Sequence, residues 1–190
     1  MGEDGGDDAR AVLLAIAARM KAQARGHPDE GMIEGFAGEM RTARARPAAA
    51  APAGALSAAM GAAKDTELAE RVVALSRRGE LRWRAPSRLP DAGTRVAICA
   101  LGDRFDLRAY TAGLMYLDPH EAYPPHAHAP AEFYLVLSGT ADWRFGGAGE
   151  YRPVEPGSVL YNPPSVTHGV VAGPEPCLSF FLLHPRDDAA

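Results

Sequence analysis

Apolar positions recur at helical spacing near the start of the chain. Val12, Leu13, Ile16, Ala17 and Met20 share one face while Arg10, Arg19 and Lys21 take the other, which predicts an amphipathic helix over 9–24. Gly26, His27 and Pro28 end it. The same period returns over 30–44 (Met32, Ile33, Phe36, Met40) and over 65–78 (Leu68, Val72, Val73, Leu75), the last helix closed by Gly79. Beyond Gly79 the period becomes two. Segments 80–84, 95–101, 107–117, 132–137, 141–145, 158–161 and 177–183 are short, rich in β-branched and aromatic residues, and separated by Gly, Pro, Asp or Asn. Many short strands with regular turn punctuation predict a sandwich or barrel.

At 190 residues the chain suits one compact domain. Three modest helices with an Ala-rich break bury too little to fold alone, so 9–79 is expected to form a cap on a β-barrel spanning 80–185. The Gly- and Asp-rich residues 1–8 are expected to be disordered, the Ala/Pro stretch 46–55 to be a mobile connector, and 186–190 to be a tail.

Charge and cysteine content narrow the function classes. Twenty Lys and Arg against 24 Asp and Glu give a net charge of -4, which offers no general attraction to nucleic acid or an anionic membrane. Cys99 and Cys177 sit in apolar surroundings and read as buried free thiols. The acidic start lacks the basic character of a targeting peptide and no apolar run reaches spanning length, so a cytoplasmic protein is expected.

The chemistry concentrates in one stretch: Tyr123, His126, His128, Glu132, Tyr134 and Gly139. Side chains alternate along a strand, so His126 and His128 point one way, as do Glu132 and Tyr134 on the next strand. Imidazoles and a carboxylate buried in an apolar barrel are costly to desolvate unless a divalent cation coordinates them. His168 follows the turn Pro163, Pro164, Ser165, where a hairpin could return a third imidazole to the same cavity. His27, His120 and His184 lack such company and read as structural or surface residues.

The spacing HxH, three residues, Glu, six residues, Gly, followed by Gly, five residues, Pro and then His resembles the paired signature of the cupin superfamily over about residues 110–185. Ser165 stands where the second motif usually has Gly, and Ala172 where it often has Asn. Neither departure removes a ligand. The resemblance implies a mainly β fold, a cupin (double-stranded β-helix or jelly-roll) barrel preceded here by the helical segment. It also implies one divalent metal (Fe, Zn, Mn, Ni or Co) on His126, His128, Glu132 and His168.

With Tyr123 and Tyr134 included, the pattern is similar to the cupin-type dimethylsulfoniopropionate lyases, which cleave that sulfonium zwitterion to dimethyl sulfide and acrylate. The helices and the run Gly113 to Pro119 also look like that family. The resemblance implies His128, Glu132 and His168 as ligands, His126 as a fourth ligand or close neighbour, and Tyr123 and Tyr134 as catalytic candidates, with Tyr123 ranked ahead as base. A sulfonium favours aromatic walls, for which Tyr116, Trp143, Tyr161, Phe180 and Phe181 are candidates. The same ligands would also suit a non-haem iron dioxygenase of a small acid or thiol, or a non-catalytic metal- and ligand-binding cupin. The expected partner is a small molecule rather than nucleic acid or membrane, and homodimerisation is favoured only by symmetry.

Overall fold

The computed structural model describes residues 4–48, 63, 65–146 and 149–184. Among the described residues, three α-helices, α1 (Asp4–Gln23), α2 (Gly31–Thr42) and α3 (Glu67–Arg77), precede nine strands. A five-stranded sheet holds β1 (Val96–Ala100), β2 (Thr111–Leu117), β9 (Cys177–His184), β4 (Ala131–Ser138) and β7 (Val159–Asn162), in that spatial order. A four-stranded sheet holds β3 (Ala122–His126), β8 (His168–Ala172), β5 (Ala141–Phe145) and β6 (Tyr151–Val154). All pairings are antiparallel. The fold is mainly β and cupin-like, with two facing sheets in place of one continuously hydrogen-bonded barrel.

Both faces of the five-stranded sheet are buried, and strand parity divides them. Leu114 and Tyr116 of β2, Phe133 and Leu135 of β4, and Phe180 and Leu182 of β9 join one core with Ile16, Phe36 and Val72 of the helices. Met115, Tyr134, Val136 and Cys177 point the other way and meet Trp143, Val170 and Ala172 of the second sheet. The helices thus form a layer on the outer face, and the facing sheets enclose a separate interior.

Specific bonds tie the layers together. The Thr66 hydroxyl accepts from Ala69 N (3.1 Å) to cap α3 and donates to the carbonyl of Leu137 (2.7 Å). The neighbouring Asp65 carboxylate accepts from Ser138 Oγ (2.9 Å) and Gly139 N (2.6 Å). Gly139 has φ +76°, and a Cβ there would lie 2.1 Å from the carbonyl oxygen of Pro176, so the turn after β4 admits no side chain. On edge strand β7, the Gln23 amide donates to Gly157 O (2.5 Å) and accepts from Val159 N (3.2 Å). That side chain occupies backbone groups a further strand would otherwise use.

Several boundaries differ from expectation. The first helix starts at Asp4, so residues 4–8, expected to be disordered, are helical. Gly6 packs on Ala45 and Arg104, Asp8 pairs with Arg78 (3.2 Å), and acidic residues suit a helix amino terminus. Residues 1–3, 49–55 of the connector and 186–190 of the tail lie outside the described residues. Segment 80–84 forms only an isolated bridge, Arg84 to Ile98, and 107–110 precedes rather than belongs to β2. Strands β6 and β8 lie outside the expected segments, and the strand expected to carry both His126 and His128 is β3, which ends at His126; β3 and β6 contain Pro124, Pro125 and Pro153. Both are edge strands, where a missing N–H breaks no ladder.

Candidate metal centre

His126 ends β3, His128 follows in the connecting loop, Glu132 enters β4 and His168 opens β8 opposite His126. One ring nitrogen from each of the three histidines lies within 4.8 Å of the others. Glu132 Oε2 lies 3.3 Å from Nε2 of His128 and 3.0 Å from Nε2 of His168. Glu132 and His168 are almost fully buried, whereas His126 and His128 are half-buried towards the opening. The structure therefore gathers the three predicted histidines into one group, and sets the Glu132 carboxylate against two of them, His128 and His168.

The chain fixes the tautomer of each imidazole. Nδ1 of His126 lies 3.0 Å from the Pro124 carbonyl, that of His128 2.8 Å from Pro130 O, and that of His168 3.0 Å from Val166 O. A carbonyl only accepts, so each Nδ1 carries the proton and each Nε2 presents a lone pair. Lone pairs of His128 and His168 then face a carboxylate, acceptor against acceptor. The buried Nε2 of His168 has no hydrogen-bond partner among the described residues. A cation among these atoms resolves the conflict, and neutral imidazole with carboxylate is the donor set a divalent transition metal takes. The residues present fit a metal.

A proton is the other way to relieve that conflict: burial alone would raise the Glu132 carboxyl, but with His128 and His168 protonated at Nε2 their hydrogen bonds and charge would more than offset it and hold it below the usual carboxylate range. Contact with Glu132 raises His128, while burial lowers His126. The Glu132 carboxylate is further held by Asn162, whose Nδ2 donates to Oε2 (3.1 Å).

The centre opens into a cavity of about 320 Å³. Tyr123, Tyr134, Phe181, Met115 and Arg88 are among its walls. Tyr123 stands edge-on to His126 with ring centroids 4.9 Å apart, and Tyr134 is buried against Trp143 at 4.8 Å. Burial raises the Tyr123 phenol, with nearby Arg88 opposing it. Tyr134 is pushed further up by complete burial and by the negative Glu132.

The aromatic candidates separate by parity. Of the five, only Phe181 lines the cavity. Tyr116, Phe180 and Tyr161 belong to the helix-facing core, Tyr116 donating to Asp118 (2.7 Å) and Tyr161 to Asp29. Trp143 lies in the interior behind Tyr134 without reaching the cavity. Sequence reasoning missed Asn162 and the segment carrying Arg84, Pro86, Ser87 and Arg88. Alternation from Tyr134 would have favoured Phe181, its cross-strand partner, had the pairing of β4 with β9 been known. His27, outside this site, packs on Phe133 and Tyr161.

The sequence model of the dimethylsulfoniopropionate lyase family matches residues 33–179, more than half of the chain. This chain belongs to that family. Within it, dimethylsulfoniopropionate lyase DddW of Ruegeria pomeroyi is 32% identical over 97 residues, 51% of this chain and 54% of DddW. The chain thus spans about half the length of that curated relative. The crystal structure of the lyase DddQ from Ruegeria pomeroyi DSS-3 superposes with a TM-score of 0.68 at 20% identity, over 95% of this chain and 94% of that one. A chain from the crystal structures of the lyases RdDddP and RnDddQII gives 0.66 at 25% identity, over 93% and 94%. These last two likenesses include the helical layer as well as the facing sheets. No helix among the described residues is long and apolar enough to cross a membrane.

Proposed function

We propose that this chain is a metal-dependent carbon–sulfur lyase cleaving dimethylsulfoniopropionate, or a closely related small zwitterion, to dimethyl sulfide and acrylate. The observation that carries the reading is the set of tautomer-fixed Nε2 lone pairs facing the Glu132 carboxylate at the wall of a cavity that also holds two tyrosines. A divalent cation on His128, Glu132 and His168, with His126 as fourth donor, would act as a Lewis acid on the substrate carboxylate and acidify the adjacent C–H. Iron, zinc, manganese, nickel and cobalt all accept such ligands.

Tyr123 is the base in this reading. Its half-exposed phenol stands beside His126 at the cavity wall, and although burial raises it, the Arg88 guanidinium opposes that rise and a cation held at the adjacent centre would oppose it further. Tyr134, buried except where it lines the cavity, lies beside the Glu132 anion, which disfavours it as base and suits a neutral hydroxyl that holds position. The phenolate of Tyr123 takes the α-proton, the C–H electron pair becomes the new C=C bond, and the C–S pair leaves on sulfur. Phe181, Tyr134 and Met115 offer the dimethylsulfonium group an aromatic and apolar wall.

The test is dimethyl sulfide in the headspace over metal-loaded full-length protein and dimethylsulfoniopropionate, with oxygen monitored in parallel. Tyr123→Phe is expected to lower kcat by roughly 100- to 10,000-fold, with metal content unchanged. Absence of dimethyl sulfide with every metal would refute the lyase, and iron-dependent oxygen uptake would replace it with an oxygenase.

A further inference from the structure

We infer that Asn162 is a positioning residue that sets the aim of the Glu132 carboxylate. The inference rests on the metal-centre reading above and extends it to a residue that touches neither cavity nor substrate. Asn162 is completely buried at the end of β7, directly opposite Glu132 in the pairing of β4 with β7. Cross-strand neighbours point to the same face, so both side chains enter the interior. Its Nδ2 donates to Glu132 Oε2 at 3.1 Å.

The amide orientation follows from the chemistry. Flipped, Asn162 would set its Oδ1 against a carboxylate, acceptor against acceptor. As placed, Oδ1 is buried with no hydrogen-bond partner among the described residues. A buried acceptor left unpaired is a standing cost, so the gain from this amide lies in its donor end. A hydrogen bond to an anion is charge-assisted and directional, which locks a carboxylate that could otherwise rotate about its own bond.

Position in the chain strengthens the case. Asn162 is followed at once by Pro163, Pro164 and Ser165, and the Ser165 N–H donates to His128 O (2.8 Å) before the chain reaches His168. The strand end that carries Asn162 therefore fixes the carboxylate, the backbone at His128 and the approach to His168. Outer groups that orient metal ligands act on affinity and geometry together.

The experiment measures cobalt(II) binding to the full chain by chelator competition, together with the visible absorption of the cobalt protein. Wild type, Asn162→Ala and the near-isosteric Asn162→Leu are compared after thermal melts confirm folding. Each folded variant is expected to bind cobalt at least tenfold more weakly, with altered absorption bands, and metal-saturated kcat to fall more than KM rises. A change below tenfold, or unaltered bands, in a folded variant overturns the inference. Failure of the metal centre itself looks different: the wild type would then bind no cobalt, or bind it as tightly with His128→Ala.

Discussion

At the scale of single residues, Ser165 shows how a departure from a motif acquires physical meaning. The cupin signature usually has Gly there, and the structure places Ser165 at φ 59°, in the left-handed region that side chains disfavour. Its N–H holds the carbonyl of His128, so the strain sits in the turn that sets one ligand and leads to another. Ser165→Gly is expected to raise stability by about 0.5–1 kcal/mol, and Ser165→Val to lower it by about 1–2 kcal/mol. Urea unfolding of the metal-free protein checks both. The ligands were legible because HxH, Glu and His at fixed spacing carry their own chemistry. Asn162 was not, because a lone Asn before two prolines reads as turn punctuation until the partner across the strand pair is known.

Among the elements, the helices and most strands announced themselves through their periods, and the misses have physical causes. β3 and β6 carry prolines that only an edge accommodates, and which strands lie at edges is a property of the sheet rather than of the segment. α1 began earlier than expected because Gly6 and Asp8 find partners on Ala45, Arg104 and Arg78, all distant in sequence. The join between α3 and the turn after β4 is a further long-range device. Asp65→Ala removes the acceptor of Ser138 Oγ and Gly139 N, and hydrogen bonds to a charged group contribute about 1.5–3 kcal/mol each. A loss of about 3 kcal/mol, the lower end of that two-bond sum because the join is only partly buried, is expected in denaturant unfolding, and a loss below about 0.5 kcal/mol would show that the helical layer does not depend on this join.

For the whole molecule, the division into two cores explains why three aromatic residues were assigned to the wrong side. Tyr116 and Phe180 fall on strands buried on both faces, and Tyr161 on a partly buried edge strand, where alternation tells which residues share a face but not which face looks inward. The two cysteines report on the two cores separately: Cys99 lies in the helix-facing one and Cys177 in the interior. Burial pushes each thiol up to about 12. Unfolded thiols ionise near pH 8.5, so the stabilising contribution is complete below that pH and is lost progressively as pH rises towards 12. Iodoacetamide is expected to leave both thiols of the folded protein intact from pH 7 to 10 and to modify both in urea. Modification of one alone at pH 9 would show which core opens first.

Each imidazole at the centre is braced by a carbonyl two residues away along its own backbone, and two of those carbonyls belong to prolines. The aim of the rings is therefore written into three very short stretches of chain. Loop lengths there are incompressible: one residue inserted between 124 and 126, between 128 and 130, or between 166 and 168 would turn a ring away while leaving every ligand present in the sequence.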